Sequence, residues 1–237
     1  MYDTLIHVPL YNAIVGLLGL VPGANLAAAV VILTLVVRLA LFPLSRRALL
    51  SQIKMRELQP EIEAIRAANK EDPQKTAVET FALYKKHGVK PFASFGMIFI
   101  QIPIFIGLYS VFSDTFASVD ASILYPFVPV PTGAIDPFLF GIDLRAKSYV
   151  LAAVAAIAQH FAGRFLLAAA TMPQSEGFQA DFSKAMRSMS LYFMPFLTFT
   201  FSAAVTAALP LYWIVGSIFT IGQELYLRRF REATGKK

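Results

Sequence analysis

VVILTLVVRLALFPLSRR, residues 30–47, is an apolar run with one arginine, Arg38, inside it and two more, Arg46 and Arg47, closing it. The run reaches back to Leu26, and about 20 predominantly apolar residues cross a bilayer core as a helix. Residues 26–45 therefore read as a membrane span with Arg46 and Arg47 at its inner edge. Its centre lies near Leu35, which puts Arg38 about 4.5 Å to the basic side at 1.5 Å per residue. A charge near the centre of a lipid-facing helix costs about 2.5–3.5 kcal/mol, so the rest of the chain must supply something for Arg38 to meet.

Composition agrees with a membrane solvent. Of 237 residues, 57% are hydrophobic and 15% charged, far from the globular average. There is no cysteine and the three histidines are scattered, so no disulfide framework, metal site or cofactor is expected. The formal charge of +6 is segregated between apolar runs and does not cover one soluble face, which argues against a DNA partner.

Five spans are predicted: 26–45, 91–112, 148–170, 188–206 and 208–227, the last two separated by a tight turn around Ala207–Pro210. Lys and Arg place them. Residues 46–90 hold Arg46, Arg47, Lys54, Arg56, Arg66, Lys70, Lys75, Lys85, Lys86 and Lys90, and the tail 228–237 holds five more; both face the cytoplasm. Residues 1–25 hold none, and the loop 113–147 sets Arg145 and Lys147 against Asp114, Asp120, Asp136 and Asp143. The N-terminus is then outside, the C-terminus cytoplasmic, and the loop 171–187 with Lys184 and Arg187 inside. The start lacks a basic n-region and a cleavage site, so it is not read as a signal peptide. Residues 5–21, interrupted by His7, Pro9 and Asn12, read as a helix in the outer interface, with a sixth span as the alternative. Between 46 and 90, Leu58, Ile62 and Ile65, then Val78, Phe81 and Ala82, recur at helical spacing either side of Asp72–Pro73. That pattern predicts a helical hairpin with an apolar stripe on each arm.

No Asp or Glu sits at the depth of Arg38 in another span; the nearest, Glu224, is close to the inner end of the last. Snorkelling to headgroups is the plain alternative, but Arg46 and Arg47 already mark the interface. An arginine with no intramembrane counter-ion needs a polar cavity. Thr34 shares its face one turn earlier; Trp213, Ser217, Thr220 and Glu224 form one stripe on the last span; Gln101 and Gln159 come from the second and third. Singly each reads as an interhelical hydrogen bond, and together with Arg38 they read as a hydrated groove. His160 has no acidic neighbour in its span and reads as a packed histidine, not a proton relay. No zinc pattern, phosphate loop or nucleophile elbow is present, so the protein is not expected to be an enzyme. A small anion transporter or channel using Arg38 is the competing class, but it predicts inverted repeats or broken spans at the midplane, and the sequence carries neither. A purely structural assembly subunit is the third.

Five separated motifs carry a resemblance: KMRELQPEIEAIRA (54–67), ALYKKHGVKPF (82–92), IQIPIFIGLY (100–109), FMP (193–195) and LYWIV (211–215). In order and spacing, over nearly the whole chain, they resemble the YidC family of membrane protein insertases. The resemblance implies an all-α membrane protein with five transmembrane helices around a hydrophilic groove open to cytoplasm and lipid, closed outside. It puts Arg38 at the family's groove arginine, Thr34 at the threonine one turn before it, and Phe105, Gln159 and Trp213 where family members contact a passing substrate helix. Where family members often have a Pro-Ser-Gly turn, this chain has Thr206, Ala207 and Ala208. The implied partners are nascent membrane proteins and the lipid bilayer, with the ribosome and Sec translocon as candidates, in a bacterial plasma membrane. The basic tail reads as an anchor on anionic lipid or as a contact to ribosomal RNA.

Overall fold

The computed structural model describes residues 2–70, 72–89, 93–117, 119–129, 131, 133–168 and 187–234. The predicted loop 171–187 lies outside them except for Arg187, as do the last three residues of the tail.

Apart from one small β-hairpin the described secondary structure is helical. A π-helical turn, Asp3–His7, leads into α1 (Val8–Leu20). Tyr11, Ile14, Val15 and Leu18 of α1 are buried with Leu26, Ala29, Val30 and Leu33 of α2 (Leu26–Ala40) and Leu108, Val111 and Phe112 of α6 (Ala93–Ala117). Gly107 of α6 lies so close that a Cβ there would meet Ile6 at 2.8 Å and Leu10 at 3.0 Å. Asp3–Leu20 is the one unbroken helix among the described residues that is by itself long and apolar enough to cross a membrane.

The span predicted over 26–45 is broken. Asn25 opens α2 by accepting from the amide of Ala28 at 2.9 Å, and α2 stops at Ala40. α3 (Phe42–Glu57) leaves at 58° to it. Pro43 explains the break: it has no N–H to give to Leu39, and its ring crowds that carbonyl.

α3 runs without interruption into the hairpin, whose arms end in α4 (Gln59–Ala68) and α5 (Pro73–Lys86), with Asp72 capping α5 through the amide of Lys75. Leu58, Ile62, Leu83 and Val89 are buried between the arms, with Ile65 and Tyr84 beside them. The expected stripe on the second arm is corrected: Val78 and Phe81 are 68% and 55% exposed. Asn69 donates to Glu79 at 2.7 Å and the hydroxyl of Thr76 to the carbonyl of Asn69. These bonds turn the Thr76–Glu79–Leu83 face inward, so polar anchoring overrides the apolar spacing.

α6 extends five residues beyond the predicted end of its span, to Ala117. The segment that follows holds a 3₁₀ turn, Ala121–Ile123, and an antiparallel pair, β1 (Phe138–Leu139) with β2 (Ile142–Asp143), whose turn places Gly141 at φ 83°. Polar side chains fasten it. Asn12 donates to the carbonyl of Ile123 and accepts from the amide of Tyr125, and Asn25 donates to Asp136 at 2.7 Å. The amide of Phe138, and then the Asn25 side chain, hold the Asp136 carboxyl below the usual carboxylate range.

α7 (Tyr149–Ala168) spans about 30 Å at 1.5 Å per residue. After a π-helical turn, Met189–Phe193, comes α8 (Met194–Ala204). The turn predicted at Ala207–Pro210 comes earlier. Val205 is extended, and α9 (Ala208–Thr234) already contains Pro210 in its first turn, where a missing N–H is harmless. The amides of Ala207 and Ala208 donate to the carbonyls of Ala146 and Leu144. α9 also carries the helix past the predicted end of its span into the basic tail.

Large apolar side chains face outward at helical spacing on the long helices: Val150, Val154, Ile157 and Phe161 on α7, and Ile102, Ile106 and Tyr109 on α6. Continuous exposed apolar stripes of this kind suit a lipid environment.

Candidate functional site

α9 is the wall on which the polar groups converge. Toward α6, the amide nitrogen of Gln101 donates to the hydroxyl of Tyr212 at 2.9 Å, and the rings of Phe105 and Trp213 stack at 5.2 Å with 19° between planes. Toward α7, Ser217 donates to Gln159 at 3.4 Å. Toward α2, the Arg38 guanidinium lies against Gly216: a Cβ at 216 would overlap Nη2 and stand 3.1 Å from Cζ and Nε. Thr220 turns its hydroxyl back to the Gly216 carbonyl at 2.9 Å.

Arg38 is half-buried, and its Nε is buried with no hydrogen-bond partner among the described residues. No described carboxylate stands within ion-pair distance of it. Glu224 is buried two turns further along α9 and has an interaction of its own. Just past the break, Ser45 of α3 accepts from the side-chain amide of Gln223 at 2.8 Å, tying the start of α3 to the C-terminal half of α9.

Seven of the eight residues singled out from sequence, Arg38, Gln101, Phe105, Gln159, Trp213, Ser217 and Thr220, meet at or beside α9. Thr34 stands apart: it is fully buried and spends its hydroxyl on the Val30 carbonyl of its own helix, at 2.7 Å. His160 places Nδ1 2.7 Å from the Leu191 carbonyl, between the rings of Phe161 and Tyr192, which fastens α7 to the π-helical turn before α8. Sequence reasoning missed Gly216, Tyr212, Ser45 and Gln223. Tyr212 and Gly216 flank residues of the polar stripe, and only the angular position of each around α9 reveals its role.

The arrangement offers one cation, three side-chain amides and a few hydroxyls. Among the described residues no three His, Asp or Glu side chains converge. Its chemistry is electrostatic attraction and hydrogen bonding at the edge of an apolar surface.

Residues 17–234 match the family described as 60Kd inner membrane protein. The chain is 29% identical over 211 residues to the membrane protein insertase YidC of Clostridium tetani, covering 89% of this chain and 85% of that protein. It is 30% identical over 210 residues to the membrane protein insertase MisCA of Bacillus subtilis, covering 87% and 71%. It is 32% identical over 219 residues to the membrane protein insertase YidC 2 of Bacillus anthracis, covering 91% and 76%.

Proposed function

The chain belongs to the 60Kd inner membrane protein family, and from that premise we propose that it is a multi-pass inner-membrane insertase that receives nascent membrane proteins in a groove built around Arg38. The observation that carries the reading is the guanidinium itself, set beside exposed Leu35, Val36 and Leu39, with a buried Nε that has no hydrogen-bond partner and no carboxylate in reach among the described residues.

In this reading the N-terminus is outside, the C-terminus is cytoplasmic, and the chain crosses the membrane five times, with the break after Ala40 near the inner side of the first crossing. A hydrophobic segment with an acidic or polar flank approaches from the cytoplasm. A carboxylate alone near mid-membrane costs about 2.5–3.5 kcal/mol, and attraction to a cation 4 Å away at an effective dielectric of 20 is about 4 kcal/mol. The two are of the same size, so one arginine is enough to offset one acidic residue. The apolar segment then passes Phe105 and Trp213 and leaves into lipid, driven by burial of its side chains at about 25 cal/mol per Å². Gln101, Gln159, Ser217 and Thr220 supply hydrogen bonds to polar backbone or side chains in transit.

The hairpin α3–α5 and the basic end of α9 face the cytoplasm and take part in delivery. The basic tail 228–237 is an anchor on anionic lipid in this reading, and the ribosome and Sec translocon are the partners for which this side is available.

The test is reconstitution. The purified protein in liposomes is given a nascent single-span protein with an acidic outer flank, and insertion is read by protease protection. Insertion that depends on the protein is expected; equal insertion into empty liposomes sinks the proposal.

A further inference from the structure

We propose that Gly216 is the seat of Arg38, a positioning residue whose missing side chain leaves the guanidinium room to rest against α9 without neutralising it. The inference rests on the reading of Arg38 as the groove cation, and it deepens that reading by assigning what fixes the charge in place.

A glycine in a packed membrane helix ordinarily lets two helices approach, and the atoms around each glycine separate that case from this one. A Cβ at Gly163 of α7 would meet the backbone carbonyl of Ser190 at 3.1 Å, a true helix-crossing glycine. At Gly107 it would meet apolar side chains. At Gly216 the three nearest atoms, Nη2, Cζ and Nε, all belong to Arg38. The space is shaped for the guanidinium.

The seat gives room and little else. The Gly216 carbonyl already accepts the Thr220 hydroxyl, and Nε of Arg38 is buried without a partner among the described residues. A planar guanidinium fixed this way keeps its donors directed at a guest, where a carboxylate accepts them in charge-assisted and even bidentate bonds. The ligand class is therefore a carboxylate on the flank of an incoming segment.

Gly216→Ala folds, because the clashing atoms are the far end of a flexible side chain: the arginine moves, and the helices do not. Purified variants in liposomes are given two single-span substrates that differ only in a flank of two aspartates or two asparagines, and the acidic-to-neutral insertion ratio is measured with the thermal midpoint of each protein. Arg38→Ala is expected to collapse the ratio. Gly216→Ala is expected to lower it by about threefold or more, the size of one weakened charge-assisted bond, with neutral-flank insertion and thermal midpoint unchanged. In an Arg38→Lys background the same glycine change is expected to have a smaller effect, since an ammonium has no plane to seat. An unchanged ratio in Gly216→Ala, where Arg38→Ala has collapsed it, overturns the seat and leaves the groove standing. A parallel fall for both substrates with a lowered midpoint shows a plain packing glycine and also overturns it. An unchanged ratio in Arg38→Ala overturns the groove reading and the seat together.

Discussion

Phe105 on α6 and Trp213 on α9 stack at 5.2 Å with their planes 19° apart, three residues along α9 from the glycine that Arg38 touches. Along α9 the stack lies about 4.5 Å from the level of the guanidinium, toward the start of the helix. Aromatic pairs of this kind are worth about 0.5–1.5 kcal/mol beyond their buried area. A double-mutant cycle with Phe105→Ala and Trp213→Ala, read by stability in detergent, should give a coupling of that size. Each single change should also slow release of the apolar segment of a substrate more than capture of its acidic flank; equal slowing of both steps counts against a role in exit.

Arg38→Ala should abolish most insertion of substrates with an acidic outer flank, and Arg38→Lys should retain part of it, both measured by protease protection in liposomes. The lysine keeps the charge and loses the planar fork. Equal loss in both variants shows that charge alone is not the role.

The hairpin gives a prediction that depends on the corrected face of α5. Ile62→Ala removes a residue 1% exposed between the arms and should cost about 2–4 kcal/mol of local stability, seen as faster amide exchange across α4 and α5. Val78→Ser and Phe81→Ser should leave that exchange unchanged, because both side chains stand in the open.

The segment between α6 and α7 should loosen in acid. The amide of Phe138 and the Asn25 side chain depress the Asp136 carboxyl in the folded protein. A group depressed on folding contributes stability that is present above its unfolded pKa and lost as pH falls through its folded one. Amide exchange over residues 136–143 should therefore be slow at neutral pH and accelerate only below the ordinary carboxylate range. Asp136→Asn should be loosened at neutral pH and show a flatter pH response.

The helical character was legible because long apolar runs have few other uses, and Arg38 was legible because a charge inside such a run demands a partner. The break after Ala40 was harder to read. Pro43 stands in the sequence, yet proline is tolerated in a first helical turn, and only the bend reveals that a new helix begins there. The hairpin's second arm misled for a different reason: Val78 and Phe81 have the spacing of a buried stripe, and the side-chain bond from Asn69 to Glu79, ten residues apart, sets the rotation instead. Gly216 and Tyr212 carry no chemical signal of their own, since what matters is the neighbour each faces.

The corner between α8 and α9 is closed by Thr206, Ala207 and Ala208 without a glycine, and its bonding says why that suffices. The amides of Ala207 and Ala208 reach the carbonyls of Ala146 and Leu144, and both alanines are fully enclosed. Main-chain atoms hold the joint, so its side chains are constrained in volume and hardly at all in chemistry. Such a corner is a tolerant place to engineer: residues small enough for the enclosed space leave its main-chain bonds, and the register of the helices it joins, intact.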